Sequence, residues 1–247
     1  MASPDALLGT GLYETMRVSE GTVLHGERHL DRLRASALAL GLPVPARSSF
    51  AGAIAGASGA GDVVRVRLHA AGGEPELRAE RRLAAAPEPV RLTVLRGWYA
   101  PGYVLREHKL TSHFHGVQGR RLAQAGGYDD ALLIARDGRV GEGTNSNVAL
   151  LVADVLVTPP VDGLLPGVCR AALLEAAAAL GLPVEERPVE LAELASAQAI
   201  LLTSSPRGLS EVVALDGNDL PRMAPELLTL LRDGVAAGAR AHALALP

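Results

Sequence analysis

Three observations predict an α/β (α+β) chain in two lobes. Strand-like and helix-like stretches alternate along it, a Gly/Pro/aromatic stretch interrupts it near residue 100, and the composition is globular, with 48% apolar residues and a net charge of −3. The expected division is a smaller N-terminal lobe over 1–97, a connector over 98–106 and a larger C-terminal lobe over 107–247.

"GLYETMRV" (11–18) reads as the first strand, "SEG" as a turn and "TVLH" as a short second strand. Leu30, Leu33, Ala37 and Leu40 recur at helical spacing within 26–42, which ends at a glycine followed by Pro43. The Ala/Gly-biased tract 51–61 reads as a weak helix and loop, and 63–70 as an alternating strand. Further strands are expected at 76–85 and 90–95, and "RGWYAPGY" (96–103) as the connector. A helix over 113–126 precedes strands at 130–135 and near 147–152, with Asp137-Gly138 favouring a tight hairpin. The 166–182 stretch is a helix with Pro166 and Gly167 at its start and Gly181-Leu182-Pro183 at its end. Strands at 197–203 and 211–217 and a last helix over 222–242 complete the pattern, with no internal repeat.

The balance of 24 basic and 27 acidic residues forms no basic stripe, so nucleic acid is not an expected partner. One cysteine, Cys169, excludes an internal disulfide and suits a reducing cytosol. No basic n-region and apolar h-region open the chain, and no apolar run reaches membrane-spanning length, so a cytoplasmic protein is expected. There is no GxxxxGK[ST] phosphate loop and no GxSxG elbow, which argues against nucleotide hydrolysis and α/β-hydrolase chemistry. His25 and His29 lie four apart, and His108, His113 and His115 cluster, but "HGERH" lacks the glutamate a metalloprotease helix uses. No metal is expected.

Arginine supplies all but one of the 24 basic residues, and the exception is Lys109 in "REHKLTSHFHG". A guanidinium cannot shed its proton, so it serves neither as nucleophile nor as proton shuttle; an ε-amine can do both. A sequence biased toward arginine therefore retains lysine where the amine reacts, with a stray surface lysine as the plain alternative. Trp98, Tyr99, Tyr103 and Phe114, four of only seven aromatic residues, flank Lys109, which suggests a pocket wall or simple packing at the lobe junction. A reactive lysine points to a Schiff base with substrate or with pyridoxal phosphate (PLP). PLP also demands an arginine and backbone N–H groups for its phosphate, and a carboxylate for its pyridine nitrogen. "LLPGVCR" (164–170) offers the N–H groups of Val168 and Cys169 at a helix start, "LTSSPRG" (202–208) offers Ser205, and "RVGEG" (139–143) offers Glu142. Each also has an ordinary structural reading.

Taken in order, these segments resemble the fold-type IV PLP enzymes: branched-chain aminotransferases, D-amino-acid aminotransferases and 4-amino-4-deoxychorismate lyases. "GTGLYETMRV" is similar to the family's first-lobe strand. "HLDRLRASA" (29–37) resembles its helix motif, in which Arg32 is the phosphate arginine. "HKLTSHFHGVQGRRLAQAGGYDDALL" resembles the Schiff-base segment and "GRVGEGTNSNVALL" the segment whose glutamate faces the pyridine. "TPPVDGLLPGVCR" and "LLTSSPRGLSEVVALDG" are similar to the two phosphate turns. Cys169 stands where threonine is common, Ser204 and Pro206 replace commoner residues, Glu211 stands where proline is usual, and the N-terminus is shorter.

The resemblance implies that Lys109 carries PLP and then moves protons, and that Glu142 keeps the ring nitrogen protonated. It also implies a homodimer whose sites are completed by the partner's first lobe. Among the family's reactions, the short chain and the "SSPRG" turn favour the lyase that makes p-aminobenzoate and pyruvate, with an aminotransferase acting on branched-chain or D-amino acids as the alternative. The lyase substrate carries two carboxylates, for which Arg17 and Arg207 are the expected partners, with Tyr13 and Thr15 lining the same wall. A PLP-free Schiff-base aldolase would need Lys109 but not Arg32 or the 166–170 turn, and a binding module would need none of these.

Overall fold

A computed structural model describes residues 9–71, 73–84 and 89–247. Residues 1–8, which enter the reading of the N-terminus, and Ala85, the end of the expected strand 76–85, lie outside the described residues.

In chain order the elements are β1 (Leu12–Ser19), β2 (Thr22–Val23), α1 (Gly26–Ala39), α2 (Arg47–Ala55), β3 (Val63–Ala71), β4 (Glu74–Arg82) and β5 (Val90–Tyr99), then α3 (Phe114–Ala125). There follow β6 (Asp130–Ala135), β7 (Val140–Gly143), β8 (Asn147–Val152), β9 (Val155–Thr158), α4 (Val168–Ala179) and β10 (Val184–Glu186). The last are β11 (Ala199–Ser204), β12 (Gly208–Leu215), β13 (Asn218–Asp219), α5 (Pro225–Ala241) and β14 (Leu244–Ala245). Short 3₁₀ helices occupy Val104–Glu107 and Leu191–Ala195.

The chain divides into two compact units. One holds the described residues up to 84 together with His108–His113 and Ala237–Pro247; the other holds those from 89 to Glu107 together with Phe114–Ala236. The expected boundary at residue 97 therefore falls within the second unit, and the lysine segment belongs to the first.

The first unit is a five-stranded sheet in the order β14-β2-β1-β3-β4. Alternation along β1 and β3 places Leu12, Met16, Val64, Val66 and Leu68 on one face, where Leu30 and Leu33 of α1 and Phe50 and Ile54 of α2 cover them. Phe50, Met16 and Ile54 are fully buried. At about 1.5–3 kcal/mol for each large side chain, this layer outweighs the weak propensity of the Ala/Gly-rich tract.

The second unit is a nine-stranded mixed sheet, β10-β9-β8-β11-β12-β5-β6-β7 with β13 beside β12. Both faces of β8 and β11 are buried. Ala149, Leu151, Ala199 and Leu201 meet Leu173, Ala177 and Leu231 from α4 and α5, while Val148, Leu150, Ile200 and Leu202 meet a second cluster. Parallel pairing of β5 with β6 and β12 fixes the middle of the sheet. β5 continues to Tyr99, so the expected connector is in part strand: Trp98 and Tyr99 pack on Ala123, Ala131 and Leu133, and that burial extends the pairing.

Candidate active site

The predicted residues fall into two groups, one in each unit. In the first unit the lysine segment lies along the start of β1. The Lys109 carbonyl accepts the Tyr13 N–H at 2.8 Å, and the Thr111 N–H donates to the Gly11 carbonyl at 2.8 Å. The Thr111 hydroxyl accepts from the Gly11 N–H and donates back to its carbonyl, both at 3.0 Å. Residue 11 has to be glycine, because a Cβ there would collide with the His69 ring and the Leu68 carbonyl. Lys109 is half-buried, and its Nζ lies 4.6 Å from the centre of the Tyr13 ring, whose face attracts a cation. The His113 ring stands 6.3 Å from the same ring.

Arg32, expected at the phosphate, reaches back from α1 to β1. Its Nε and Nη2 donate to the two Glu14 oxygens at 2.8 and 2.6 Å, and His29 Nδ1 lies 2.7 Å from Glu14 Oε2. Burial alone would raise the Glu14 carboxyl, but Arg32 and His29 outweigh it and hold it at about 2. A carboxylate only accepts, so His29 Nδ1 is the donor. Glu14 grips one edge of the Arg32 fork and fixes its orientation.

His25 precedes α1 with φ of 54° and is buried, and neither ring nitrogen has a hydrogen-bond partner. Burial first, then His29, Arg28 and His242, lower it to about 4. The unfolded chain protonates this ring near 6.5, so the stability it contributes is complete above that value and lost as pH falls through 4. Stability is expected to drop by up to about 1.4 kcal/mol per pH unit across that window. His25→Leu should flatten the slope in part, as read from urea unfolding at stepped pH.

Tyr13, Thr15 and Arg17 share the face of β1 opposite the core. Arg17, expected at a substrate carboxylate, gives its Nη2 to Asp62 Oδ2 at 2.9 Å. On the same face, Arg65 of β3 pairs in register with Thr15, donates through Nε to its hydroxyl at 3.3 Å and lies 5.0 Å over the Tyr13 ring.

In the second unit, Glu142 of β7 accepts from Arg106 Nη2 at 2.6 Å. The Arg106 side chain is 4% exposed and stacks 4.0 Å over the Tyr99 ring. The carboxylate expected to face the pyridine is thus anchored by a charge-assisted bond. Sequence reading missed Arg106, and only its place three residues before Lys109 hinted at it.

Val168 and Cys169 open α4, and the Gly167 that precedes it carries no side-chain cap, so the first-turn N–H groups keep the positive end of the helix. The Asn147 amide donates to the Leu165 carbonyl at 2.9 Å and crowds Gly167 so closely that a Cβ would overlap it. Ser205 and Arg207 sit half-buried in the turn joining β11 to β12. Cys169 links the start of α4 to the turn after β11, its thiol hydrogen-bonded to the backbone of Ser204 and pushed up by burial to about 12. Cys169 is expected to resist alkylation in the native protein at pH 8 and to react once unfolded, as read by intact mass. A rapidly labelled native thiol would contradict this packing.

Among the described residues these groups meet the demands of PLP one by one: an amine, an anchored carboxylate, an arginine fork and helix-terminal N–H donors. To them is added Thr203 Oγ1, buried and without a protein partner. The proposed aromatic wall needs correcting. Tyr103 and Phe114 are 54% and 66% exposed, Trp98 and Tyr99 serve a small core, and the ring that meets Lys109 is Tyr13. Of the histidines, His29 serves Glu14 and His108 bonds Ser36 Oγ at 3.0 Å; no three potential metal-binding side chains gather among the described residues. No described helix is long and apolar enough to cross a membrane.

The chain is similar to a bifunctional aminodeoxychorismate lyase / D-amino acid transaminase of Mycobacterium tuberculosis, 29% identical over 88% of this chain and 86% of that protein. It is also 29% identical to branched-chain-amino-acid aminotransferase-like protein 2 of Arabidopsis thaliana over 85% of its own length, but it spans only 42% of that protein. The PLP-bound form of a hypothetical aminotransferase from Mycobacterium tuberculosis superposes with a TM-score of 0.83 at 27% identity, covering 96% of this chain and 91% of that one. The sequence profile of amino-transferase class IV matches residues 11–215, and the chain, with its two sheets of the fold-type IV kind, belongs to that family of PLP-dependent aminotransferases and lyases.

Proposed function

We propose that this chain is a PLP-dependent lyase that converts 4-amino-4-deoxychorismate to p-aminobenzoate and pyruvate, a step toward folate. The observation that carries the enzymatic reading is the only lysine, fixed by backbone bonds beside the Tyr13 ring. The lyase is favoured by the similarity to the bifunctional lyase/transaminase and by the arginines on the Tyr13 face. When bound, PLP supplies a protonated ring that draws electrons from the substrate's Cα.

In this reading Lys109 holds the cofactor aldehyde and moves a proton at Cα. Glu142, anchored by Arg106, faces the ring nitrogen. Arg32, Ser205 and the Val168 and Cys169 N–H groups hold the phosphate. Tyr13, Thr15, Arg17 and Arg207 orient the substrate. The chain acts as a cytoplasmic homodimer.

A second reading, transamination of D- or branched-chain amino acids, is favoured by the same relative's transaminase name and by the aminotransferase-like protein of Arabidopsis thaliana. Incubation with 4-amino-4-deoxychorismate, and separately with D- or L-amino acids plus a keto acid, distinguishes them. Formation of p-aminobenzoate supports the lyase, and a new amino acid alone supports the transaminase.

A further inference from the structure

The coreless face of the first unit's sheet is rich in arginine. Register places Tyr13 opposite Arg67 and Thr15 opposite Arg65, and then Arg65 opposite Glu80 and Arg67 opposite Arg78. Together with Arg17 and Arg82 this makes five arginines against four carboxylates, Asp62, Glu74, Glu76 and Glu80, among the described residues of that face. Three of them are spoken for, and the fourth, Glu74, lies exposed at the start of β4. Asp62 takes Arg17, Glu76 takes Arg78, and Glu80 takes both Arg67 and Arg82.

Arg65 receives none of them. Its hydrogen bond goes to a neutral hydroxyl, Thr15 Oγ1, and its guanidinium lies over the Tyr13 ring, the same ring that Lys109 Nζ approaches to 4.6 Å. Burial first, with its neighbours Arg82 and Arg67, lowers its hold on its proton, and outweighs Tyr13 and Glu80, which raise it. Arg17, by contrast, is already neutralised on a rim that is 37% exposed. A half-buried guanidinium with two donor edges, set beside a reactive amine and opposite a Glu80 that bonds Arg67 and Arg82 instead, is suited to an incoming carboxylate.

We propose that Arg65 is a specificity-determining residue that binds a carboxylate of the substrate, and that the surplus of positive charge on this face selects amino substrates bearing two carboxylates over those bearing one. The proposal deepens the reading of Lys109 as the reactive amine and rests on it. It moves the role of principal carboxylate reader from Arg17 to Arg65.

The test measures binding of glutarate and of its mono-amide, glutaramate, to the PLP-loaded protein by calorimetry. The two ligands have nearly one shape and differ by one charge. The wild-type protein is expected to prefer glutarate by at least about tenfold. Arg65→Gln should bring glutarate down to the level of glutaramate, Arg65→Lys should recover part of the preference, and Arg17→Gln should cost less than Arg65→Gln. Thermal unfolding of each variant checks that the fold is kept. In turnover, Arg65→Gln should raise KM for a dicarboxylic substrate far more than it lowers kcat.

Equal binding of the two ligands by the wild type, or equal losses for both in Arg65→Gln, would overturn the proposal. Repeating the calorimetry in Lys109→Ala separates it from the reading on which it rests. A glutarate preference that persists there while Lys109→Arg proves active would leave the carboxylate site standing and remove the reactive amine.

Discussion

Lys109→Arg is expected to lower turnover by more than about 10³-fold on every amino substrate, and Lys109→Ala to do the same. Arginine keeps the positive charge and can stack on the Tyr13 ring, so any role confined to charge or to the 4.6 Å ring contact would survive the change. What arginine cannot do is lose a proton near neutral pH and attack a carbonyl. The backbone bonds that place residue 109, between its carbonyl and the Tyr13 N–H and between Thr111 and Gly11, do not involve the side chain, so both variants should fold. The visible absorbance of the PLP-loaded protein should be lost together with the activity. An arginine variant that keeps either one would refute the assignment.

Glu14→Ala is expected to carry the largest stability cost of any single carboxylate change, about 3–5 kcal/mol, because it strands charge and polarity in a buried place. Glu14 is 1% exposed and satisfies both Arg32, at 2.8 and 2.6 Å, and His29, at 2.7 Å. Removing it leaves a largely buried guanidinium without its carboxylate and an imidazole N–H without its acceptor. Urea unfolding measures the loss. Acid should reproduce it in wild type: Glu14 titrates near 4.5 when unfolded and at about 2 when folded, so its contribution is complete above 4.5 and disappears as pH falls through 2. The same variant should bind PLP more weakly, since the edge-on grip that orients Arg32 is gone. A variant as stable as wild type would show that the triad is solvated and not a buried brace.

Much of this was legible in the sequence because it is periodic or compositional. The alternation of β1 and β3 and the helical spacing of Leu30, Leu33 and Ala37 follow from burial of one face, and the structure buries those residues. The lone lysine drew attention because one residue type was nearly absent. The short strands β9, β10, β13 and β14 are not legible because two to four residues carry no measurable period; they exist by pairing with the strands beside them. The pairings that shape the candidate site were hidden for a different reason. Arg17 meets Asp62 45 positions away, Arg106 meets Glu142 36 away and Arg65 meets Thr15 50 away. No local pattern announces which of 23 arginines is neutralised by a partner and which is not. Arg17 and Arg65 share a face, and nothing in the sequence separates the one that pairs with a carboxylate from the one that bonds a hydroxyl. The register of β1 against β3 settles such questions, and register is a property of the fold.

Borohydride treatment of the PLP-loaded protein, followed by peptide mapping, tests the central claim most directly. The reduction fixes the cofactor on whichever amine carries it, and this chain offers one ε-amine. The expected result is a single pyridoxyl group on the peptide containing Lys109, with loss of activity in proportion to its formation. Label confined to the chain's α-amino terminus, or no label on a protein that still turns over amino substrates, would contradict it.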